Sequence, residues 1–321
     1  MFLRKTLAPA AAGIVILAAT FALAIPAPVA AQEVVQDEGA FYRAWHDASQ
    51  AGDNVKAMAA AKAYLEKYPA GQYADFLKKW YGTAQMTALD AAIKGKNMAD
   101  MVKVGREILA SDPENLNVLY ALAFNIRRNE LLAATPSFEN APAAIEFAKK
   151  AISLVESGKT LVGVQSFDKN ATLAWLTQIL AVTEAKNGNA AEAIKLYEKS
   201  TSLAPGDPAI AGPNLLRVFT LRQVAYADAV KAYNAFPEAD RGAAEPKPEV
   251  KAAREVLNSE ADALIDSAAA FVAFANAKGL APAMRDRVNQ VLETVYKGRH
   301  PEDTTLEGLK KMLAAKGAPP A

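Results

Sequence analysis

The sequence predicts an all-α fold in which antiparallel helix pairs stack into a solenoid. Three observations carry that prediction. The 321 residues are 52% hydrophobic but only 8% aromatic; alanine is very frequent, long β-branched runs are scarce, and alanine is the best helix former. Apolar residues recur at i, i+3, i+4 and i+7, most cleanly at Leu119, Leu122, Ala123 and Ile126, while no stretch alternates with the period of a strand. One spacing also occurs twice. Gly52, Ala57 and Pro69 stand five and then twelve residues apart, and Gly188, Ala193 and Pro205 repeat both intervals. Each triplet sits in the same grammar of helix, Gly turn, second helix with a small residue near its start, then Pro. That is the outline of a helix-turn-helix repeat about 34 residues long.

The first 31 residues read as something other than this fold. Arg4 and Lys5 precede an apolar run over residues 7–25, Pro26 and Pro28 break it, and Val29-Ala30-Ala31 offers small residues for cleavage. This is the pattern of a secretory signal peptide, with Gln32 as the new N-terminus. An uncleaved membrane anchor is the rival, since the run is almost long enough to span. Cleavage removes two cations and no acid, leaving 34 basic against 35 acidic residues, a change from +1 to −1. A nearly neutral chain has no general attraction for nucleic acid. The chain has no cysteine, which excludes a lipidated N-terminal Cys, thiolate metal sites and Cys nucleophiles. The expectation is an exported protein, periplasmic, with no membrane insertion once the leader is gone.

Residues 32–208 then read as helix pairs. Residues 32–38 are polar and expected to be loose. The first pair is predicted at about 39–51 and 54–67, with Gly52 reversing the chain and Pro69 ending the second member. The second pair is predicted at about 73–94 and 97–111, where Gly105 on the apolar face implies close helix approach. The third is predicted at about 115–133 and 142–157. After a Gly-containing connection, Asn170 or Thr172 is a candidate cap for the fourth pair, at about 171–187 and 190–203. Residues 209–321 form a separate C-terminal helical region. Helices are predicted at about 213–235, 249–278, 282–297 and 303–315, with 237–248 as a linker rich in Pro, Gly and charge; these helices pack as a cap or a small bundle.

The fourth pair resembles a tetratricopeptide repeat. The run from Gly188 to Tyr197 looks like that family's turn and second helix. Ala193, Tyr197, Ser200 and Pro205 match its small, aromatic, small and proline positions, and Ala181 its small first-helix position. Thr177 departs from the family's tryptophan. The first pair matches at Trp45, Gly52, Ala57 and Pro69, with Ala61 in place of the aromatic. Residues 57–80 also resemble the repeats of periplasmic envelope-assembly proteins. The tetratricopeptide resemblance covers about residues 39–205 and implies a right-handed superhelix whose first helices line a concave groove that binds proteins or peptides.

Residues carrying chemistry are sparse. His46 and His300 are the two histidines; they lie far apart without partners at metal spacing, and read as a surface residue and a helix-end residue. Gly158-Lys159-Thr160 resembles the end of a phosphate loop, but helix rather than strand is predicted before it, and Ser153 stands where the motif needs Gly. No catalytic, metal or cofactor set is expected, and the chain reads as no enzyme. Repeat register instead places Tyr42, Arg43 and His46 on the groove side of the first pair, Asn117, Tyr120, Phe124, Arg127 and Arg128 on that of the third, and Trp175, Gln178 and Lys186 on that of the fourth. Aromatics beside cations suit a peptide with apolar anchors and a carboxylate. The competing reading makes Tyr120, Phe124 and Trp175 inter-repeat core. The function expected is a protein-binding or scaffold module of the cell envelope. Self-association through residues 249–315 as an assembly component, or less readily binding of a small ligand, are the alternatives.

Overall fold

A computed structural model of the chain describes residues 29–164 and 166–317. The expected leader lies outside them except for its last three residues. Among the described residues every regular element is helical, as the alanine-rich, strand-poor sequence requires. The chain divides into two compact units, residues 1–84 and 85–321, and each is described by itself.

The first unit holds α1 (Val29–Gln50), α2 (Asn54–Lys67) and the start of α3 (Ala74–Lys94). α1 and α2 form an antiparallel pair. Gly52 makes the reversal at φ +71°, a conformation that strains any residue with a Cβ. The Asp53 carboxylate then accepts from Lys56 N–H at 3.0 Å and caps α2. Trp45, Ala57, Ala61, Tyr64, Ala74 and Leu77 form the core. Residues 32–38 are helical, not loose. That stretch has no Gly or Pro, and Asp37 and Glu38 are tethered from a distance. Asp37 accepts from Lys67 Nζ and, at 2.5 Å, from the Tyr68 hydroxyl. Glu38 accepts from the Tyr64 hydroxyl and from Gln72 N–H at 2.7 Å. The partners sit about one repeat further on, where local reading of the sequence does not reach.

In the second unit the end of α3 is followed by α4 (Met98–Ser111), α5 (Leu116–Ile126), a π-helical turn (Arg127–Leu131), α6 (Ala141–Glu156), α7 (Lys169–Lys186) and α8 (Ala190–Leu203). Then come α9 (Ala211–Asn234), the single turn α10 (Glu238–Arg241), α11 (Pro248–Lys278), α12 (Pro282–Arg299) and α13 (Glu307–Gly317). From α4 to α9 each helix packs on the next, so each amphipathic stripe is buried by its neighbours in sequence, as in a repeat array. Beyond α9 the scheme changes: α11 packs on α9, and both α12 and α13 pack on α11. One core runs from Leu89 to Val218, and a second gathers Phe219 with α11, α12 and α13.

Gly105 does permit close approach. A Cβ there would meet the two methyls of Leu122 at 2.5 and 2.6 Å, and Leu122 is fully buried. Three local expectations are corrected. α7 is capped by Asp168, whose carboxylate accepts from Ala171 N–H at 2.9 Å; neither Asn170 nor Thr172 is the cap. The linker at 237–248 contains the turn α10. The last helix begins at Glu307 and not near 303, because Asp303 accepts from the N–H groups of Glu307 at 3.0 Å and Gly308 at 2.8 Å. A carboxylate that satisfies the orphan donors of a first turn fixes where that turn starts. Gly158 stands at φ +98° directly after α6, so a helix and not a strand leads into Gly158-Lys159-Thr160.

Candidate functional site

The expected binding residues fall in both units. In the first, α1 carries Tyr42, Arg43 and His46. Tyr42 stacks on Tyr73 with ring centroids 3.9 Å apart, and burial pushes its hydroxyl pKa up. Arg43 is exposed. His46 Nδ1 lies 3.3 Å from the Asp47 carboxylate. Next to them Trp45 is buried, its Nε1 has no hydrogen-bond partner, and Phe76 meets its ring edge-on while remaining 51% exposed.

The other eight lie in the second unit. Asn117 is spent on structure: its side chain donates to Val162 O at 2.8 Å and accepts from Val162 N–H at 2.9 Å, pinning the connection before α7. Tyr120 stacks on Phe124 at 5.6 Å, and Phe124 meets Trp175 edge-on at 6.0 Å. All three rings are half-buried, so they are part core and part surface. Arg128 and Lys186 are exposed, the latter over the Phe138 ring at 5.3 Å.

Arg127 and Gln178 are buried, which repeat register alone did not indicate. Arg127 is 7% exposed. It opens the π-helical turn, in which Leu132 N–H donates to Arg127 O at 2.9 Å; such turns insert one residue into a helix and re-aim side chains. Its guanidinium lies over the Trp175 ring at 4.0 Å and near Phe124 at 5.6 Å. Its Nε donates to Gln178 Oε1 at 2.7 Å, and Nη2 donates to the same oxygen. Gln178 Nε2 donates to Asn214 Oδ1 at 2.5 Å, Asn214 Nδ2 to Ser200 Oγ at 2.9 Å, and Ser200 Oγ to Ala174 O at 2.8 Å. A directed chain of donors thus runs from the arginine through α7, α9 and α8 to a backbone carbonyl.

This cation has no acid beside it. Among the described residues no carboxylate makes an ion pair with Arg127. Glu130, three residues on, is turned to the start of α6, accepting from Asn140 N–H at 3.1 Å and Asn140 Nδ2 at 2.7 Å. Burial pulls the Arg127 pKa down to about 10, while Tyr120 and Tyr197 act in the opposite sense. The group is still charged at neutral pH. The Tyr197 hydroxyl, on a side chain only 1% exposed, has no hydrogen-bond partner. Buried charges are usually paired, so an unpaired guanidinium under half-exposed aromatics is the chemically distinctive feature of the unit. The half-exposed rings of Tyr120, Phe124 and Trp175 are the part of this arrangement that meets solvent.

The sequence missed Tyr197 and Asn214 as members of this arrangement. Tyr197 carries a signal as the aromatic repeat position; Asn214 in an apolar helix carries none. His300 caps the end of α12, its Nδ1 3.5 Å from Glu302. Among the described residues no three His, Cys, Asp or Glu side chains group to hold a metal. No described helix is long and apolar enough to cross a membrane.

No protein-family model matches the sequence, and no curated protein matches it. Among solved structures, a tetratricopeptide repeat protein from Parabacteroides merdae is similar at 16% identity over 81% of this chain and 99% of that one, with a TM-score of 0.26. The architecture given above rests on the helix packing and not on this likeness.

Proposed function

We propose that the protein is an exported, non-enzymatic helical-repeat module of the cell envelope that binds a protein or peptide through the first-helix faces of its pairs. The observation that carries the reading is Arg127: a buried, charged guanidinium without a carboxylate, roofed by Trp175 and Phe124. A partner that brings an acidic group and an apolar anchor supplies what is missing, because an arginine and a carboxylate match each other's geometry. Exposed Arg128 and Lys186 at the rim add attraction that steers encounter. The leader pattern at residues 1–31 supports export to the periplasm.

The test is capture of partners from a native envelope extract after cross-linking. Arg127→Gln and Arg128→Glu are each expected to lose the partner that the parent protein retains, with helicity by circular dichroism unchanged. Equal capture by both folded variants refutes the assignment of this face. Arg127→Lys is expected to fail as well, since an ammonium lacks the planar fork.

A further inference from the structure

A recess separate from the Arg127 face lies in the same unit. α8 and α11 both pack on α9, and between them a trough runs over Leu215 and Val218. It consists of two cavities of about 540 and 320 Å³ that share Pro205, Leu215 and Ala270. We propose that this trough binds one long-chain fatty acid, with the hydrocarbon along α11 and the carboxylate at Lys278.

Size selects the occupant. On the α11 wall Ala263, Ala270, Ala273 and Ala277 stand among Asp266, Ser267 and Phe274, and their methyls leave open space that larger side chains would fill. From Ala263 to Lys278 the helix advances about 22 Å. The volumes of the two cavities fall in the range of about 300–1,000 Å³ typical of small-ligand sites. An all-trans hydrocarbon advances about 1.2 Å per bond, as an extended backbone does. Sixteen to eighteen carbons therefore span about 18–21 Å, close to the trough's length.

Polarity selects it too. The hydroxyls that line the trough are already spent on their own helices: Thr201 donates to Tyr197 O at 2.9 Å, Ser202 to Lys199 O at 2.8 Å and Ser267 to Leu264 O at 3.0 Å. An extended peptide lying there finds no hydroxyl proton left for its C=O groups, and leaving those unpaired is costly. Hydrocarbon needs none. The larger cavity opens at Lys278 and Lys316. Lys316 is held by Asp266 at 2.6 Å, whereas exposed Lys278 has no ion-pair partner among the described residues. The other end carries one charge of each sign, Glu198 and Arg222, whereas the charged side chains lining the larger cavity are lysines alone, which assigns the head group to Lys278.

The experiment titrates the delipidated full chain with hexadecanoate, below its aggregation threshold, by calorimetry. One saturable site is expected. Ala270→Trp, which fills the trough where its two cavities join, is expected to weaken binding at least tenfold. Lys278→Glu is expected to weaken it three- to tenfold for hexadecanoate and to leave hexadecanol unchanged. These variants separate the trough from any uptake by the apolar leader, which they do not alter. Should Ala270→Trp lose helicity, Lys278→Glu decides alone, because that side chain is exposed. Absence of saturable binding overturns the proposal, as does parent-like affinity in Lys278→Glu. Binding of a lysophospholipid of equal chain length more than tenfold tighter than hexadecanoate overturns the assignment to a free fatty acid.

Discussion

Tyr197→Phe is expected to make the protein more stable. The ring is 1% exposed, and its hydroxyl has no hydrogen-bond partner in the structure. Burial also pushes its pKa up, with Arg217 and Arg127 acting against that rise, so the hydroxyl stays protonated and neutral. Folding strips it of water and returns no bond. An unsatisfied buried hydroxyl costs about 1–3 kcal/mol. Phenylalanine keeps the ring and deletes one oxygen, so the contacts of Ala193 and Ile194 in the same core are little disturbed and the cavity term is small. The net expectation is a gain of about 1–2 kcal/mol. For a unit of this size that raises the thermal midpoint by roughly 2–4 °C per kcal/mol. Urea unfolding followed by far-ultraviolet circular dichroism measures it, with the slope checked for constancy so that a change in midpoint reads as stability. A loss of 1 kcal/mol or more refutes the reasoning, because it requires the hydroxyl to be making a bond in the folded protein.

Ser200→Ala should destabilise by about 2–3 kcal/mol in the same assay, since it removes both the acceptor of Asn214 Nδ2 and the donor to Ala174 O and leaves a buried amide unpaired. Gly105→Ala should cost about 1–2 kcal/mol: overpacking against Leu122 outweighs the roughly 0.8–1 kcal/mol gained in helix propensity. Adding Leu122→Val should return part of that loss, a coupling that a double-mutant cycle reads. The docking of α1 on α2 should weaken at both extremes of pH. Asp37 is held below its usual range by hydrogen bonds from Lys67 and Tyr68, so its contribution, present above the unfolded carboxylate value, is lost as pH falls through the lowered one. Lys67 is raised by its bond to Asp37, so its contribution is complete below the ordinary lysine value and is lost as pH rises through the raised one. Proteolysis at exposed Arg43 should therefore be slowest between about pH 5 and 9, and a flat profile contradicts the pairing.

Helices were legible where local rules suffice. Gly188 and Pro205 bracket α8, Gly279 closes α11 in the left-handed conformation, and the apolar stripe of α5 names core residues that the structure buries. The start of α13 was missed because Asp303 sets it through bonds to residues four and five positions on. The start of α1 was missed because Asp37 and Glu38 find their partners about thirty residues away. The binding face was legible in part. Arg128 and Lys186 are exposed, as repeat register implied, but Asn117 is committed to Val162, and Arg127 and Gln178 are interior. Arg127 follows buried Ala123 at i+4 on the α5 stripe, and Gln178 lies among the buried positions of α7; groove register ignores what the neighbouring helices cover.

Helix class and the turns between paired helices follow from sequence, since each depends on side chains within a few residues of one another. The charge state of the interior does not. That Arg127 stands without an ion-pair partner, that Tyr197 keeps an unsatisfied hydroxyl, and that a gap lies between α8 and α11 are consequences of which helices meet. Pairing, desolvation and empty volume are properties of the space between elements, and only their packing creates that space.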